Sequence, residues 1–164
     1  MRARPDVLVL LGIEPDRPET EYGWIEPAEV ILGPWSWPLY RVRRFWEKPP
    51  AEAARHLMRD GSLWNSFMMV ANPSMLEQRI RGALPTLAAD FEPLCARVGT
   101  AWEDEAARVV YGRLLATDFS RGVLQPHPEG LAVLPVSGVA WNDLGDPSRV
   151  LVTRRGLGAA LATA

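Results

Sequence analysis

Three polar residues lie at the ends of two predicted strands, where an α/β sheet usually places a ligand. Glu47 and Lys48 end the first strand in the sequence RRFWEKPP, and Asn65 opens the second in SLWNSFMMVA. Successive side chains of a strand point to opposite faces, but Pro49 ends this strand, so both can turn toward one ligand. A lysine suits a phosphate as a point charge with three donors, and a glutamate accepts hydrogen bonds from sugar hydroxyls.

Each of these residues also has a purely structural interpretation. Glu47 and Lys48 could form a solvated ion pair at the end of a strand. Asn65 can donate to and accept from a hydroxyl, but an asparagine is equally typical of a turn before a strand. These residues alone leave both a ligand site and a solvated strand end open.

Two further segments carry candidate residues. Asp143 follows a predicted strand in AWNDLGDPSRV, and Gly145 permits close backbone approach. A carboxylate there suits a magnesium ion if a second one comes from elsewhere, and the alternative is a turn aspartate. In PETEYGWIE, Gly23 would let a ligand approach the backbone near Glu19 and Tyr22, or the segment forms a hairpin turn.

The composition predicts one folded domain over residues 1–164. Apolar residues make up 48% of the 164, enough for a core. The formal net charge is -2 and no basic stripe is visible, which argues against nucleic acid as a partner. No apolar run approaches the ~20 residues of a membrane helix, so we expect a soluble, cytoplasmic protein with no membrane partner.

Several common site chemistries find no support in the sequence. Cys95 is the single cysteine, which excludes an internal disulfide framework and a zinc site built from cysteines. His56 and His127 lie far apart in sequence, and neither has a visible catalytic partner. No glycine-rich loop of the P-loop or dinucleotide-binding type precedes a predicted helix.

Predicted strands and helices interleave along the chain, which favours an α/β layered fold. Hydrophobic patterning predicts strands over residues 7–13, 22–25, 39–46, 67–71 and 131–136. It predicts helices over residues 51–59, 73–82, 103–116 and 146–152, and one or two helices over residues 84–98. Residues 28–38 are expected to be irregular, residues 118–124 to form a loop or short turn, and residues 139–141 to continue the last strand.

Four stretches resemble the sugar-1-phosphate nucleotidyltransferase family, and mannose-1-phosphate guanylyltransferases most closely. LLGIEPDRPETEYGWIEP resembles the family's LGI-x-P-x-x-PETGYGYIE, and RRFWEKPP resembles RFVEKP. SLWNSFMMVA resembles LWNSGMF, and GVAWNDLGDPSRV resembles GWSDVGSW. Each match alone is a weak signal, but four in the family's order over residues 7–150 make a specific one.

The resemblance implies transfer of a nucleotidyl group from a nucleoside triphosphate to a sugar 1-phosphate. It implies GTP as the donor and mannose 1-phosphate as the acceptor. Pyrophosphate leaves and a nucleotide sugar forms. Lys48 and Asp143 would be catalytic, with Lys48 on the sugar phosphate and Asp143 as one of two aspartates that hold Mg²⁺. The implied substrate-binding residues are Glu19, Tyr22, Gly23, Glu47, Lys48 and Asn65.

The fold that the resemblance implies is a partial Rossmann-like, glycosyltransferase-A-like layered fold, with helices flanking a mixed sheet. In the family, a glycine-rich triphosphate loop and the first magnesium aspartate precede the LGI strand. This sequence contains neither, so we expect the N-terminal nucleotide-binding half to be missing. A polypeptide with only one of the two magnesium aspartates and without the triphosphate-binding loop is expected to be inactive alone. A partner chain could supply the missing half.

Four departures from the family's pattern fall inside the matched stretches, two of them being Asn142 for the serine before the metal aspartate and Asp146-Pro147 for Ser-Trp. Phe67 stands where the family has glycine after Asn-Ser, which would change or narrow the sugar pocket. Glu21 replaces the glycine before Tyr-Gly. Two other interpretations therefore stay open: a non-catalytic sugar-phosphate-binding or regulatory relative, and a degenerate α/β fragment without a function of its own.

Overall fold

Three strands, one helix, a fourth strand, three helices and a fifth strand follow one another in the part of the chain that the computed structural model describes, which is residues 6–32, 37–147, 149–151 and 153–154. The strands are β1 (Leu8–Ile13), β2 (Gly23–Leu32), β3 (Leu39–Glu47), β4 (Leu63–Val70) and β5 (Leu131–Val136). The helices are α1 (Ala51–Arg59), α2 (Pro73–Ala83), α3 (Pro85–Cys95) and α4 (Glu103–Tyr111), and Ser120–Leu124 forms a π-helical turn.

The strands form a closed barrel in the order β1-β4-β2-β3-β5. Strands β1 and β5 are parallel and the other pairs are antiparallel, so the sheet is mixed, as expected. The open, Rossmann-like layering is not confirmed, because the sheet closes on itself. Register shifts between Leu10 and Gly12 of β1, and around Pro27 of β2, provide a physical reason, since bulges bend and twist a strand.

Two clusters of buried apolar side chains hold the barrel together. One comprises Leu8, Leu10, Ile25, Val42, Phe45, Leu63, Leu124, Leu131 and Val133. The other comprises Ile13, Tyr22, Trp24, Ala54, Leu57 and Trp64, and it includes the inner face of α1. Burying one such side chain contributes about 1.5–3 kcal/mol, so these clusters fix the strands whose ends carry the candidate residues.

Several element boundaries differ from the sequence prediction. Strand β2 continues to Leu32, although residues 28–38 were expected to be irregular, because pairing with β3 overrides the local proline signal. Strand β4 begins at Leu63, so Asn65 lies within the strand and does not open it. Helix α4 ends at Tyr111 and not at residue 116, and residues 139–141 are not a strand. Residues 33–36 of the segment 28–38 lie outside the described residues.

Residues 118–124 were expected to form a loop or short turn, and Ser120–Leu124 is a π-helical turn whose Val123 and Leu124 are buried. The final predicted helix is present at residues 147, 149–151, 153 and 154, while its expected end, Val152, lies outside the described residues. Among the described helices, none has the length and apolar character needed to cross a lipid bilayer.

Candidate functional site

A cavity of about 560 Å³ gathers most of the candidate residues predicted from the sequence. Its lining residues are Glu21, Tyr22, Gly23, Glu47, Lys48, Asn65, Ser66, Phe67, Asp118, Ser120, Trp141, Asn142 and Asp143. Of the predicted site residues, only Glu19 is not part of this lining. Residues separated by up to 122 positions in sequence therefore meet around one space.

Strand pairing places Gly23, Glu47 and Asn65 side by side. Strand β2 lies between β3 and β4, and Gly23 is directly opposite Glu47 in the β2–β3 pair. A Cβ atom added to Gly23 would lie 3.1 Å from Glu47 Oε2 and 3.2 Å from Asn65 Cβ. The absence of a side chain at Gly23 therefore leaves space for the Glu47 and Asn65 side chains at the cavity.

Lys48 reaches the cavity because its backbone leaves the strand conformation. Its φ angle is +49°, in the left-handed region that side-chain-bearing residues rarely adopt. This turn breaks the alternation of faces along β3, so Glu47 and Lys48 both line the same space. The Lys48 ammonium group donates to Glu21 Oε2 at 3.4 Å, an exposed ion pair of the kind that contributes little stability.

The Asn65 side chain is buried, at 6% exposure, and its two polar atoms have separate tasks. Its Oδ1 accepts a hydrogen bond from the Phe67 backbone N–H at 3.1 Å. Ser66 Oγ donates to the Leu11 carbonyl at 2.6 Å and accepts from the Met68 N–H at 3.2 Å. One lone pair of Asn65 Oδ1 is thus used within the fold, and the side-chain NH₂ group has the chemistry of a hydrogen-bond donor.

The Glu47 carboxyl has a raised pKa in the folded protein. Burial is the main cause, and the negative charge of Asp118 adds to it. A hydrogen bond from the Ser120 side chain and the charge of Lys48 act in the opposite direction without cancelling the shift. A carboxylate that is partly desolvated and poorly compensated can gain from new hydrogen-bond donors, such as ligand hydroxyls.

Asp143 is held by an arginine that the sequence analysis did not identify. Arg149 Nη1 lies 2.7 Å from Asp143 Oδ1, which also accepts the Gly145 N–H at 3.1 Å. Burial acts to raise the pKa of Asp143, but the hydrogen bonds from Arg149 and Gly145 outweigh it and lower the pKa below its ordinary value. Asp143 is therefore ionised and paired, and its turn hydrogen bond to Gly145 matches the structural alternative as well.

The same arginine links Glu19 and Tyr22 to this end of the cavity. Its Nη2 lies 3.6 Å from Glu19 Oε2, and its guanidinium carbon lies 4.8 Å from the centroid of the Tyr22 ring. The Tyr22 hydroxyl donates to Asn142 Oδ1 at 3.3 Å. Glu19 thus supports the site through Arg149 and not from the cavity wall.

The resemblance implies magnesium, and Asp143 is the candidate ligand. Among the described residues, no three His, Cys, Asp or Glu side chains are grouped so that they could hold a metal ion. A magnesium ion that bridges phosphates commonly takes only one or two carboxylates, so Asp143 fits as one ligand. Any cation there would compete with the guanidinium of Arg149 for Oδ1.

Two cavity residues, Asp118 and Ser120, had no signal in the sequence that would have found them. Ser120 is buried and hydrogen-bonds Glu47, while Asp118 acts on the same carboxyl through its charge. Both belong to a segment that was expected to be a loop or short turn. The π-helical turn that starts at Ser120 is a feature often found at functional sites, but it is visible only in three dimensions.

Backbone strain is concentrated at this cavity. Within the described part of the chain, the non-glycine residues with positive φ are Lys48, Phe67 and Leu144. The first two line the cavity and the third follows Asp143. Such conformations cost on the order of 1–3 kcal/mol each and tend to cluster where a protein binds or transforms a ligand.

Comparison with known proteins agrees with the four matching stretches and confirms that resemblance. The family model described as nucleotidyl transferase matches residues 2–156. Mannose-1-phosphate guanylyltransferase ManC of Salmonella typhimurium is 34% identical over 86 residues, which are 52% of this chain and 18% of that protein. Xanthan biosynthesis protein XanB of Xanthomonas campestris is 30% identical over 152 residues, which are 88% of this chain and 30% of that protein.

A solved structure gives the same result at the level of the fold. The crystal structure of mannose-1-phosphate geranyltransferase from Thermus thermophilus superposes with a TM-score of 0.70 at 30% identity. The match covers 88% of this chain and 39% of that one. This chain spans less than a third of the length of the two curated relatives described above.

Proposed function

Because the chain belongs to the nucleotidyl transferase family, we propose that its cavity binds the sugar 1-phosphate acceptor of a nucleotidyl transfer. The reaction moves a nucleotidyl group from a nucleoside triphosphate to a hexose 1-phosphate such as mannose 1-phosphate. Likeness to the relatives suggests GTP as the nucleoside triphosphate. The products are a nucleotide sugar and pyrophosphate. The observation that carries this proposal is the meeting of Glu47, Lys48 and Asn65 around one cavity beside Gly23.

Each of these side chains has a role that its surroundings support. The partly buried Glu47 carboxylate accepts hydrogen bonds from sugar hydroxyls, and the Asn65 NH₂ group donates to one. The Lys48 ammonium group binds the phosphate, which must draw it away from Glu21. The acceptor is thereby oriented for attack on the α-phosphate of the donor, and positioning is the main contribution a protein makes to phosphoryl-type transfers.

The lining residues of the cavity carry more negative than positive charge. Glu21, Glu47, Asp118 and Asp143 line it with the cation of Lys48, while Arg149 and Arg121 pair with Asp143 and Asp118. A sugar phosphate is itself an anion, so a further cation would strengthen its binding here. We propose that Asp143 supplies one ligand to a magnesium ion, which neutralises phosphate charge when bound.

The donor side of the reaction has no counterpart in this sequence. The 164 residues contain no glycine-rich triphosphate-loop motif ahead of a described helix. We propose that the triphosphate grip and a second metal carboxylate come from residues outside this sequence. Those residues would belong to a longer form of this polypeptide or to a partner chain, and this chain alone would have little activity.

A pyrophosphate-release assay over a grid of nucleoside triphosphates and hexose 1-phosphates tests the proposal. It compares this chain with a version extended upstream, and calorimetric titration measures whether this chain binds the acceptor. We expect acceptor binding by both forms and pyrophosphate release by the extended form only. If the extended form releases none and this chain binds no hexose 1-phosphate, the proposed function is wrong.

A second function, binding without transfer, is favoured by two contacts. Glu21 pairs with Lys48 and Arg149 pairs with Asp143, so residues of this chain neutralise both groups assigned to the transfer. A non-catalytic sugar-phosphate-binding or regulatory relative would bind the acceptor without any dependence on magnesium. The extended form would then release no pyrophosphate, which distinguishes this function from the first.

The raised pKa of Glu47 predicts a pH dependence of acceptor binding. As pH falls through the raised pKa, the carboxylate is protonated and loses its strength as an acceptor, so hexose 1-phosphate affinity should decrease by about tenfold. Glu47→Gln should bind weakly at every pH and show only the smaller dependence that comes from the phosphate itself. Titration calorimetry of both proteins over the acidic to neutral pH range measures the difference. Parallel curves for the two proteins would contradict the prediction.

The raised pKa of Glu47 makes folding stability depend on pH in the opposite direction from acceptor binding. A carboxyl whose pKa is raised in the folded state stabilises the protein below its unfolded pKa, and this contribution is lost as pH rises through the folded pKa. Glu47→Gln should therefore be at least as stable as the parent protein near neutral pH. Urea unfolding at the same pH values checks that weaker binding by the variant does not come from unfolding.

A further inference from the structure

Phe67 combines three properties that the proposed substrate contacts do not explain. It lines the cavity beside Asn65 and Ser66, it is 57% exposed, and its φ angle is +60°. A side chain in the left-handed region costs energy, and a large apolar side chain that stays exposed gains little from folding. Stability of the fold therefore does not favour a phenylalanine here.

The neighbours of Phe67 impose its backbone conformation. Asn65 Oδ1 accepts the Phe67 N–H, and Ser66 Oγ accepts the Met68 N–H while donating to the Leu11 carbonyl. These hydrogen bonds hold a bulge in β4, where the pairing with β1 shifts between Leu10 and Gly12. Glycine would adopt this conformation without strain, so the aromatic ring needs a separate explanation.

The ring of Phe67 is held by one aromatic contact. It meets Phe119 edge to face, with ring centroids 6.2 Å apart and an interplanar angle of 82°. Phe119 is itself partly buried and packs against the core cluster that contains Phe45. This contact limits the motion of the Phe67 ring while more than half of the residue stays exposed at the cavity.

We propose that Phe67 forms an aromatic wall on which the apolar C–H face of a hexose packs, so that it determines selectivity for a sugar over a bare phosphate. This inference rests on the proposed function. With hydroxyls bound by Glu47 and Asn65 and the phosphate bound by Lys48, the C–H face of the ring is the remaining surface to be covered. The negative face of an aromatic ring is complementary to weakly positive C–H groups.

The aromatic wall is tested by ligand-observed NMR and calorimetry with three ligands. They are hexose 1-phosphate, the methyl glycoside of the same hexose, and inorganic phosphate. Phe67→Gly should lower affinity for both hexose ligands about fivefold to tenfold and leave inorganic phosphate unchanged. Phe67→Tyr should keep the affinity, and Phe67→Leu should lose most of it. Saturation transfer from aromatic protons should be strongest at the C–H protons of one sugar face.

A matched control separates the ring from the backbone. Leu144→Gly also places glycine at a positive φ, of +53°, near the site, but removes no aromatic group and no lining residue. It should leave affinity for the methyl glycoside within about twofold, because that ligand has no phosphate that could depend on the neighbouring Asp143. Phe67→Gly should keep its thermal midpoint within about 4 °C, because relief of the left-handed conformation offsets the lost contact with Phe119.

The outcomes distinguish failure of the wall from failure of the proposed function. Unchanged or tighter hexose binding by Phe67→Gly, with hexose 1-phosphate still dependent on Lys48, would overturn the wall alone. Hexose binding that depends on Phe67, with no role for Lys48, would support the wall and overturn the proposed function. If no hexose ligand binds the parent protein at millimolar concentration, the wall is wrong, and the proposed function is wrong as well when the extended form releases no pyrophosphate.

Discussion

Replacing Lys48 by alanine should weaken hexose 1-phosphate binding by a factor on the order of 10². A charge-assisted contact to a phosphate within a site contributes ~2–4 kcal/mol. Among the described residues that line the cavity, no other positive charge can replace it. Calorimetric titration of this chain measures the acceptor affinity, and kcat/KM for an extended, active form measures the effect on transfer.

Arg43→Ala is the matched control for Lys48→Ala. Arg43 is an exposed basic residue of the same strand, and it is not part of the cavity lining. Its removal changes the net charge equally but should alter acceptor affinity by less than about twofold, since exposed charges are well screened. An affinity in Lys48→Ala that matches the parent protein would show that Lys48 is a solvated strand-end residue, the alternative interpretation of its sequence context.

Replacing Phe45 by alanine should lower the free energy of unfolding by about 3–5 kcal/mol. Phe45 is completely buried in the core cluster between β3 and its neighbours, and truncation would leave a cavity there. Such a loss is a large share of the ~5–15 kcal/mol that stabilises a typical domain. Urea unfolding followed by tryptophan fluorescence measures it.

Phe45→Ala should also affect the site, because Phe45 lies beneath it. Its Cζ lies 3.1 Å from the position that a Cβ atom on Gly23 would occupy, and Glu47 follows two residues later on the same strand. Leu115→Ala is the control, since Leu115 is 86% exposed and should change stability by less than about 0.5 kcal/mol. Equal stabilities for the two variants would contradict the barrel core described above.

The residues predicted from the sequence, except Glu19, meet around one cavity, but their arrangement there could not be predicted. Glu47, Lys48, Asn65 and Asp143 were identified by their place in three of the four matching stretches, and local chemistry alone left a solvated or turn role open for each. Pairing of β2 with both β3 and β4 places the first three together, and such long-range pairings are not encoded in any local pattern. Asp118 and Ser120 could not be predicted, because their segment carries no catalytic motif and reaches Glu47 only through folding.

Sequence by itself determined most of the elements and the family resemblance. Buried strands, the helix from Ala51 to Arg59 and the motif residues follow from hydrophobic period, proline and glycine signals, and side-chain chemistry, all of which act locally. Tertiary structure decided how the sheet closes, because barrel closure depends on bulges and on pairings between distant strands. It also decided what each candidate residue contacts: Glu21 at Lys48, Arg149 at Asp143, and the Phe67 backbone at Asn65. Those contacts arise because the fold brings side chains from distant segments within a few ångströms of one another. They set the pKa of the carboxyl groups at the cavity, the hydrogen-bond donors that remain for a ligand, and the backbone strain.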